Sequence, residues 1–219
     1  MEFKLTRKEG LPIMTTLLPN ATTKRLAQIE ELLKGWQAEK ITSADISSAT
    51  GWKDSLIRHD LWLLRQTIQT DFFHGISNGY RCENLLQAIR LALGSENATI
   101  NVCIVGLGRL GAALLDETFF EGSNFVIKAG FDSNVNRVEI LRSTFPLYPA
   151  GDMNWIIRQE KITLAVLAVA DKDAQNMCDR LLKAGITGIV NMTRALIKVP
   201  DGVKVENLSI LNALKLVSN

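Results

Sequence analysis

The chain lacks a strong charge of either sign, a cysteine framework and any long apolar run, and each absence removes a class of protein. Over 219 residues the formal net charge is only +2, which excludes a coat protein that covers nucleic acid by bulk basicity. DNA binding, if present, must come from local placement of cations. Cys82, Cys103 and Cys178 are an odd number at wide spacing, which argues against a disulfide scaffold or a thiolate metal site and for free thiols in a reducing compartment. No segment reaches the roughly eighteen apolar residues of a membrane span. Residues 1–18 interrupt their short apolar pieces with Lys4, Arg7, Lys8 and Glu9, unlike a secretory leader. The expectation is a cytoplasmic protein with no membrane association. Histidine is also scarce: His59 and His74 are the two in the chain.

What the chain does contain is Ile100-Asn-Val-Cys-Ile-Val-Gly106-Leu107-Gly108-Arg109-Leu110-Gly111-Ala-Ala-Leu-Leu. A β-branched run ends in Gly-x-Gly-x-x-Gly and a helix-forming run comes next, the order strand, tight turn, helix. In that order Gly106 permits the turn, Gly108 lets a pyrophosphate approach the backbone and Gly111 lets helix and strand pack closely, while the helix start offers N–H groups to an anion. A second apolar run, Phe125 to Phe131, leads to Asp132, where a ribose-binding acid ends the second strand of a dinucleotide fold. Such a carboxylate favours NAD(H) over NADP(H), and Arg137 is the nearest following cation.

In chain order, residues 1–18 show no periodicity and form a loose extension. Leu26, Ile29, Leu33 and Trp36 make one helical stripe. Ser43 is placed to cap a short helix to Ala49, and Thr50-Gly51 is a turn. A helix from Lys53 to Ile68 turns Ile57, Leu61, Leu64 and Ile68 inward and Ser55, Arg58, His59 and Trp62 outward. Residues 69–80 suit a β-wing, and Trp62 is expected to close the core against that wing. Two helices across a glycine-bearing turn, the second with cations on its outer face, form a helix-turn-helix pattern, although a plain three-helix bundle has the same periodicity. Asn84 to Leu93 is again helical. The polar break at Gly94 separates a domain of residues 19–94 from one of 95–208.

In the second domain nearly continuous apolar strands alternate with helices, the signature of a parallel sheet covered on both faces. The predicted elements are a helix after the glycines to about Thr118, a short helix near 137–142, a Pro146/Pro149 loop, a helix at 154–159, a strand over 162–169, a helix over 173–184, and strands at 186–192 and 203–208. The carboxyl ends of those strands bring Gly106 to Gly111, Asp132, Val169 and Asn191 to one edge. Residues 209–219 form a short amphipathic helix.

With both halves placed, the chain resembles the Rex family of redox-sensing transcriptional repressors from about Leu18 to Val217. The resembling pieces are Thr23-Lys-Arg-Leu26, Ile57-Arg58-His59-Asp60-Leu61, Asn78-Gly-Tyr80, Gly106 to Gly111, Gly130-Phe-Asp132, Ala184 to Asn191 and Val199 to Asn207. The resemblance implies an N-terminal winged-helix DNA-binding domain, a Rossmann-type dinucleotide domain and a C-terminal dimerisation helix. It further implies a homodimer on near-palindromic operator DNA, released by NADH and permitted by NAD⁺. Cofactor contacts are expected at Gly106, Leu107, Gly108, Arg109, Leu110, Gly111, Asp132, Arg137, Val169 and Asn191, and DNA contacts at Lys53, Ser55, Arg58 and His59.

The chain also departs from the family pattern. His59 replaces a second basic residue of the recognition helix, Leu63, Leu64 and Arg65 replace an aromatic-glycine group, and the wing loop Gly75 to Gly79 lacks the usual Arg-Gly pair. The Arg and Asp that pair in one redox state of the family align with Glu31 and Ser209, leaving Lys24 or Arg25 as candidate cations for a substitute pair. The competing readings are a divergent relative that binds a nucleotide or coenzyme A without redox switching or DNA binding, and a small dehydrogenase. The second is disfavoured because both histidines precede the dinucleotide domain and little chain remains after it to build a substrate lid.

Overall fold

A computed structural model describes residues 18–68, 79–94 and 99–218, and the chain divides into two compact units, through Asn97 and from Ala98. The N-terminal unit contains α1 (Asn20–Lys34), β1 (Lys40–Ile41), α2 (Ser43–Thr50), α3 (Asp54–Ile68), β2 (Tyr80–Arg81) and α4 (Cys82–Leu93). The apolar stripes meet as their spacing requires: Leu26, Ile29 and Leu33 of α1, Ile46 of α2, Ile57, Leu61 and Leu64 of α3, and Leu85 and Ile89 of α4 are all buried. β1 and β2 pair antiparallel, Ile41 opposite Tyr80. Gly51, at φ 75°, turns the chain from α2 toward α3 in the left-handed conformation that glycine adopts without strain. The expected loose extension and most of the wing loop lie outside the described residues.

One polar group sits inside this core. Asp60 on α3 is fully buried and accepts hydrogen bonds from Thr22 Oγ1 at 2.8 Å, Arg25 Nε at 2.5 Å and Arg25 Nη2 at 2.8 Å. α1 is thus held to α3 by a forked, charge-assisted bond and not by apolar packing alone. Arg25 is therefore already engaged within its own unit, although the sequence suggested it for a substitute switch pair.

The second unit contains β3 (Ile100–Val105), α5 (Arg109–Ala113), β4 (Phe125–Asp132), α6 (Val135–Ile140), β5 (Leu147–Pro149), α7 (Met153–Gln159), β6 (Leu164–Leu167), α8 (Ala174–Ala184), β7 (Gly188–Asn191), β8 (Lys204–Asn207) and α9 (Ile210–Val217). Its six strands run in the order β5-β4-β3-β6-β7-β8 and every pair is parallel. Alternation along β3 sends Cys103 and Val105 into a core with Ala165, Leu167, Met153 and Leu181, and Val102 and Ile104 into one with Val166, Leu107 and Phe145. Both faces of the sheet are covered, as an all-parallel sheet requires. Burial pushes the Cys103 thiol well above its ordinary pKa, so it is an inert core residue.

Several boundaries differ from the sequence reading, each for a local reason. The helix after the glycine loop ends at Ala113 and not near Thr118, because Asp116 accepts from the Thr118 amide at 3.0 Å and starts a separate 3₁₀ turn at Glu117–Phe120. The Pro146/Pro149 loop contains β5, an edge strand, where proline is tolerated. Thr42, not Ser43, caps α2: its side chain accepts from the Asp45 amide at 3.0 Å while Asp45 accepts from the Thr42 amide at 2.8 Å. The helix near 137–142 lies at Val135–Ile140.

Candidate functional site

The chain passes from β3 outward to β4 and β5, then returns to place β6 on the other side of β3. That reversal leaves a crevice at the carboxyl ends of β3 and β6, the position at which open parallel sheets bind ligands. Gly106 follows β3 directly at φ 94°, and a Cβ there would lie 2.6 Å from the Ala168 carbonyl oxygen. Gly111 packs against the Gly106 carbonyl so closely that a Cβ would collide with its oxygen. At Gly108, by contrast, a Cβ would meet nothing within 4 Å. Gly106 and Gly111 hold the turn together, while Gly108 keeps open the space a ligand would fill.

A cavity of about 690 Å³ opens over this turn, lined by Gly106, Gly108, Arg109, Leu110, Asp132, Arg137 and Val169 together with Ser133, Ala170, Asp171, Asp173, Asn176, Met177, Arg180, Thr193 and Arg194. Of the residues expected at the cofactor, Leu107, Gly111 and Asn191 are not on its wall. The Leu107 side chain is 2% exposed and packs in the core, and Gly111 acts through the turn. Asn191 is fully buried; its amide nitrogen donates to the Ala195 carbonyl and to Asn207 Oδ1, each at 2.8 Å, and its oxygen accepts from Thr193 Oγ1 at 2.7 Å. It positions the loop that brings Thr193 and Arg194 to the cavity and does not face the cavity itself.

Asp132 is 4% exposed and already has protein partners. Oδ2 accepts from the Leu107 amide at 2.7 Å and from Arg137 Nη1 at 3.3 Å, and Oδ1 accepts from the Asn134 amide at 2.7 Å. The carboxylate thus braces the glycine turn from the next strand, and a carboxylate's roughly four lone-pair sites leave room for one further donor. On the opposite wall Asp171 accepts from the Arg194 amide and Nε, each at 2.9 Å. Hydrogen bonding, chiefly from that amide, holds the Asp171 carboxyl below the usual carboxylate range. Arg180 donates to the Ala150 carbonyl. Sequence reasoning missed this wall; only the alternation of strand and helix pointed toward it. The backbone space at Gly108 and the flanking arginines fit a diphosphate-linked ligand.

In the N-terminal unit Lys53, Ser55, Arg58 and His59 are all exposed on or beside α3. Trp62 does not close the core: it is 55% exposed and stacks on His59, ring centroids 5.9 Å apart and planes 19° from parallel. Arg58 is paired with Asp54, one turn earlier. Glu31 accepts from Lys34 at 2.7 Å, and Ser209 caps α9 by accepting from the Asn212 amide.

Residues 97–195 match the CoA binding domain family model. A curated relative from Limosilactobacillus reuteri, named redox-sensing transcriptional repressor Rex, is 30% identical over 201 residues, covering 90% of this chain and 91% of its own. A relative of the same name from Exiguobacterium is 32% identical over 199 residues, covering 88% and 87%. Among solved structures, RSP, described as a Rex-family repressor, matches with TM-score 0.79 and 30% identity over 93% of both chains. RSP in complex with beta-NAD⁺ and operator DNA matches with TM-score 0.81 and 30% identity over 93% of this chain and 92% of that one. A winged-helix unit ahead of a Rossmann-type unit defines a class of ligand-responsive DNA-binding proteins. Within it, this chain belongs to the Rex family of redox-sensing transcriptional repressors.

Proposed function

We propose that this chain is an NAD(H)-sensing repressor that binds near-palindromic operator DNA as a homodimer. In this reading residues 95–208 take the dinucleotide at Gly106, Gly108, Arg109, Leu110, Asp132, Arg137 and Val169. Residues 19–94 present Lys53, Ser55, Arg58 and His59 to DNA, and residues 209–219 join the protomers. The carrying observation is the crevice at the β3–β6 reversal, where a Cβ at Gly108 would enter open space. Exposed Ile210, Leu211, Leu214, Leu216 and Val217 on α9 support the homodimer.

The matched CoA-binding family model favours one second reading, a relative that binds coenzyme A and does not switch. Calorimetric titration with NADH, NAD⁺ and coenzyme A separates the two: tightest binding of NADH supports the sensor, and binding of coenzyme A alone refutes it. Coupling between dinucleotide and DNA is expected to be weak. A ligand shifts an equilibrium only by its differential affinity for the two states, and the switch-pair positions hold Glu31 and Ser209, both engaged locally. NADH should lower operator affinity by about tenfold or less, equivalent to about 1.4 kcal/mol. Competition titration of the operator complex at fixed salt measures it, and a shift of a hundredfold would show that another pair does the work.

A further inference from the structure

The outer face of α3 carries a carboxylate where a DNA-binding surface gains nothing from bulk negative charge. Asp54 sits in the first turn with its side chain 29% exposed, and its Oδ2 accepts from Nη2 of Arg58, whose side chain is 68% exposed. The other carboxylate oxygen, Oδ1, is buried and has no hydrogen-bond partner, the one such side-chain atom among the described residues. The guanidinium is thus the hydrogen-bond partner of a half-desolvated anion. Moving Arg58 away to a phosphate takes from Asp54 the donor on its Oδ2 while Oδ1 stays buried without a partner, which favours the pair over the phosphate. Keeping the pair intact costs Arg58 little: a guanidinium has five N–H donors in a planar fork, and one bond to Asp54 leaves enough for the two acceptors on a guanine edge.

We infer that Asp54 is a specificity-determining residue of the DNA-reading face. It clamps Arg58 in a fixed geometry for a guanine edge, and its charge turns Arg58 away from a sequence-blind phosphate contact. This rests on the DNA-binding reading above. The clamp fixes the arginine's rotamers before DNA arrives, so less side-chain entropy is lost on correct pairing. It also penalises a wrong base, because an arginine held in place cannot swing to a neighbouring phosphate. The same face holds His59 against Trp62, so two reader positions are each fixed by a neighbour.

The test compares wild type, Asp54→Asn, Asp54→Glu, Arg58→Ala and the Asp54→Asn/Arg58→Ala double variant. The probes are a duplex recovered by in vitro selection on the wild-type protein and a randomised duplex of equal length, across a salt series. Asp54→Asn should reduce discrimination between the two duplexes at least tenfold, tighten binding to the randomised duplex and steepen its salt dependence by about one unit as Arg58 reaches a phosphate. Asp54→Glu, which can still pair one turn on, should restore discrimination. The double variant should discriminate no worse than Arg58→Ala alone, since the two act as a unit. Asp54→Ser, which also suits a helix start, replaces Asp54→Asn if the latter melts early. Equal shifts on both duplexes, or additive effects of the two substitutions, overturn the inference and leave DNA binding standing. Selection that enriches no sequence overturns the DNA-binding reading itself, and the inference with it.

Discussion

The glycine turn and the outer face of α3 are built from different material. The turn is a backbone device: its shape comes from Gly106 at φ 94°, from the closeness of Gly111 to the Gly106 carbonyl, and from one carboxylate, Asp132, that accepts the Leu107 amide. The α3 face is a side-chain device on an ordinary helix, its shape set by which residue pairs with which. A backbone device tolerates no substitution where its glycines touch backbone, here Gly106 and Gly111, whereas a side-chain device tolerates many, each changing what is recognised. Relatives near 30% identity can therefore share the first and differ in the second.

Substitution at the three glycines tests that contrast with the largest expected effects. Gly111→Ala drives a Cβ into the Gly106 carbonyl oxygen, and Gly106→Ala combines φ 94° with a Cβ 2.6 Å from the Ala168 carbonyl. Both should abolish NADH binding in calorimetry and lower the melting temperature, since backbone cannot yield cheaply. Gly108→Ala should leave the melting temperature unchanged while weakening NADH, because its Cβ occupies only open space. Unaltered NADH affinity in a folded Gly108→Ala protein would remove the ligand from this turn.

The same difference explains what could be read before the structure. The turn, Asp132 at the end of β4, and the alternating parallel sheet are carried by residue types that have few other uses in that order, so sequence placed them. The stripes Leu26, Ile29, Leu33 and Ile57, Leu61, Leu64 were equally plain because burial imposes a period. Pairings were not. Trp62 could close a core or lie on the surface, and only its stack on His59 decides. Asn191 was expected at the ligand because it ends a strand, yet its hydrogen bonds turn it toward Ala195 and Asn207. Asp60, in a segment that otherwise reads as a surface turn of helix, gave no sign that it is the buried partner of Arg25, 35 residues earlier.

Two arginine–aspartate pairs that share α3 give the next test, one joining it to α1 and one lying along it. Arg25–Asp60 is closed off from water on the acid side, 0% exposed, while in Arg58–Asp54 the arginine is 68% exposed and the acid 29%. Removing one member of a buried pair strands a charge and typically costs about 3–5 kcal/mol, whereas an exposed i,i+4 pair contributes about 0–1 kcal/mol. In urea unfolding of the full chain, followed by a probe in the N-terminal unit, Arg25→Ala should shift the transition far more than Arg58→Ala. Equal shifts would mean that packing alone joins α1 to α3.

The smallest effect belongs to the start of α2, the first helix of the DNA-reading motif. Thr42 and Asp45 exchange bonds at the start of α2: the Thr42 side chain accepts from the Asp45 amide, and Asp45 accepts from the Thr42 hydroxyl at 2.7 Å and the Thr42 amide at 2.8 Å. Those bonds, the hydroxyl's first, hold the Asp45 carboxyl below the ordinary aspartate value. A carboxyl whose folded pKa is depressed stabilises the fold above its unfolded value, about 3.9, and that contribution is lost as pH falls through the folded value. Thr42→Ala should cost about 1 kcal/mol at neutral pH, the usual worth of such a cap. The cost should shrink in acid, below about pH 4, because protonated Asp45 has already lost most of its attraction for the hydroxyl. Thr42→Ser, which keeps both bonds, should behave as wild type at both pH values. Ser43→Ala should be silent by comparison, since with Ser43 as the cap the acid would stand two residues on and not three. A penalty for Thr42→Ala that is the same at pH 7 and pH 3 would assign the effect to the lost methyl group and not to the reciprocal bonds.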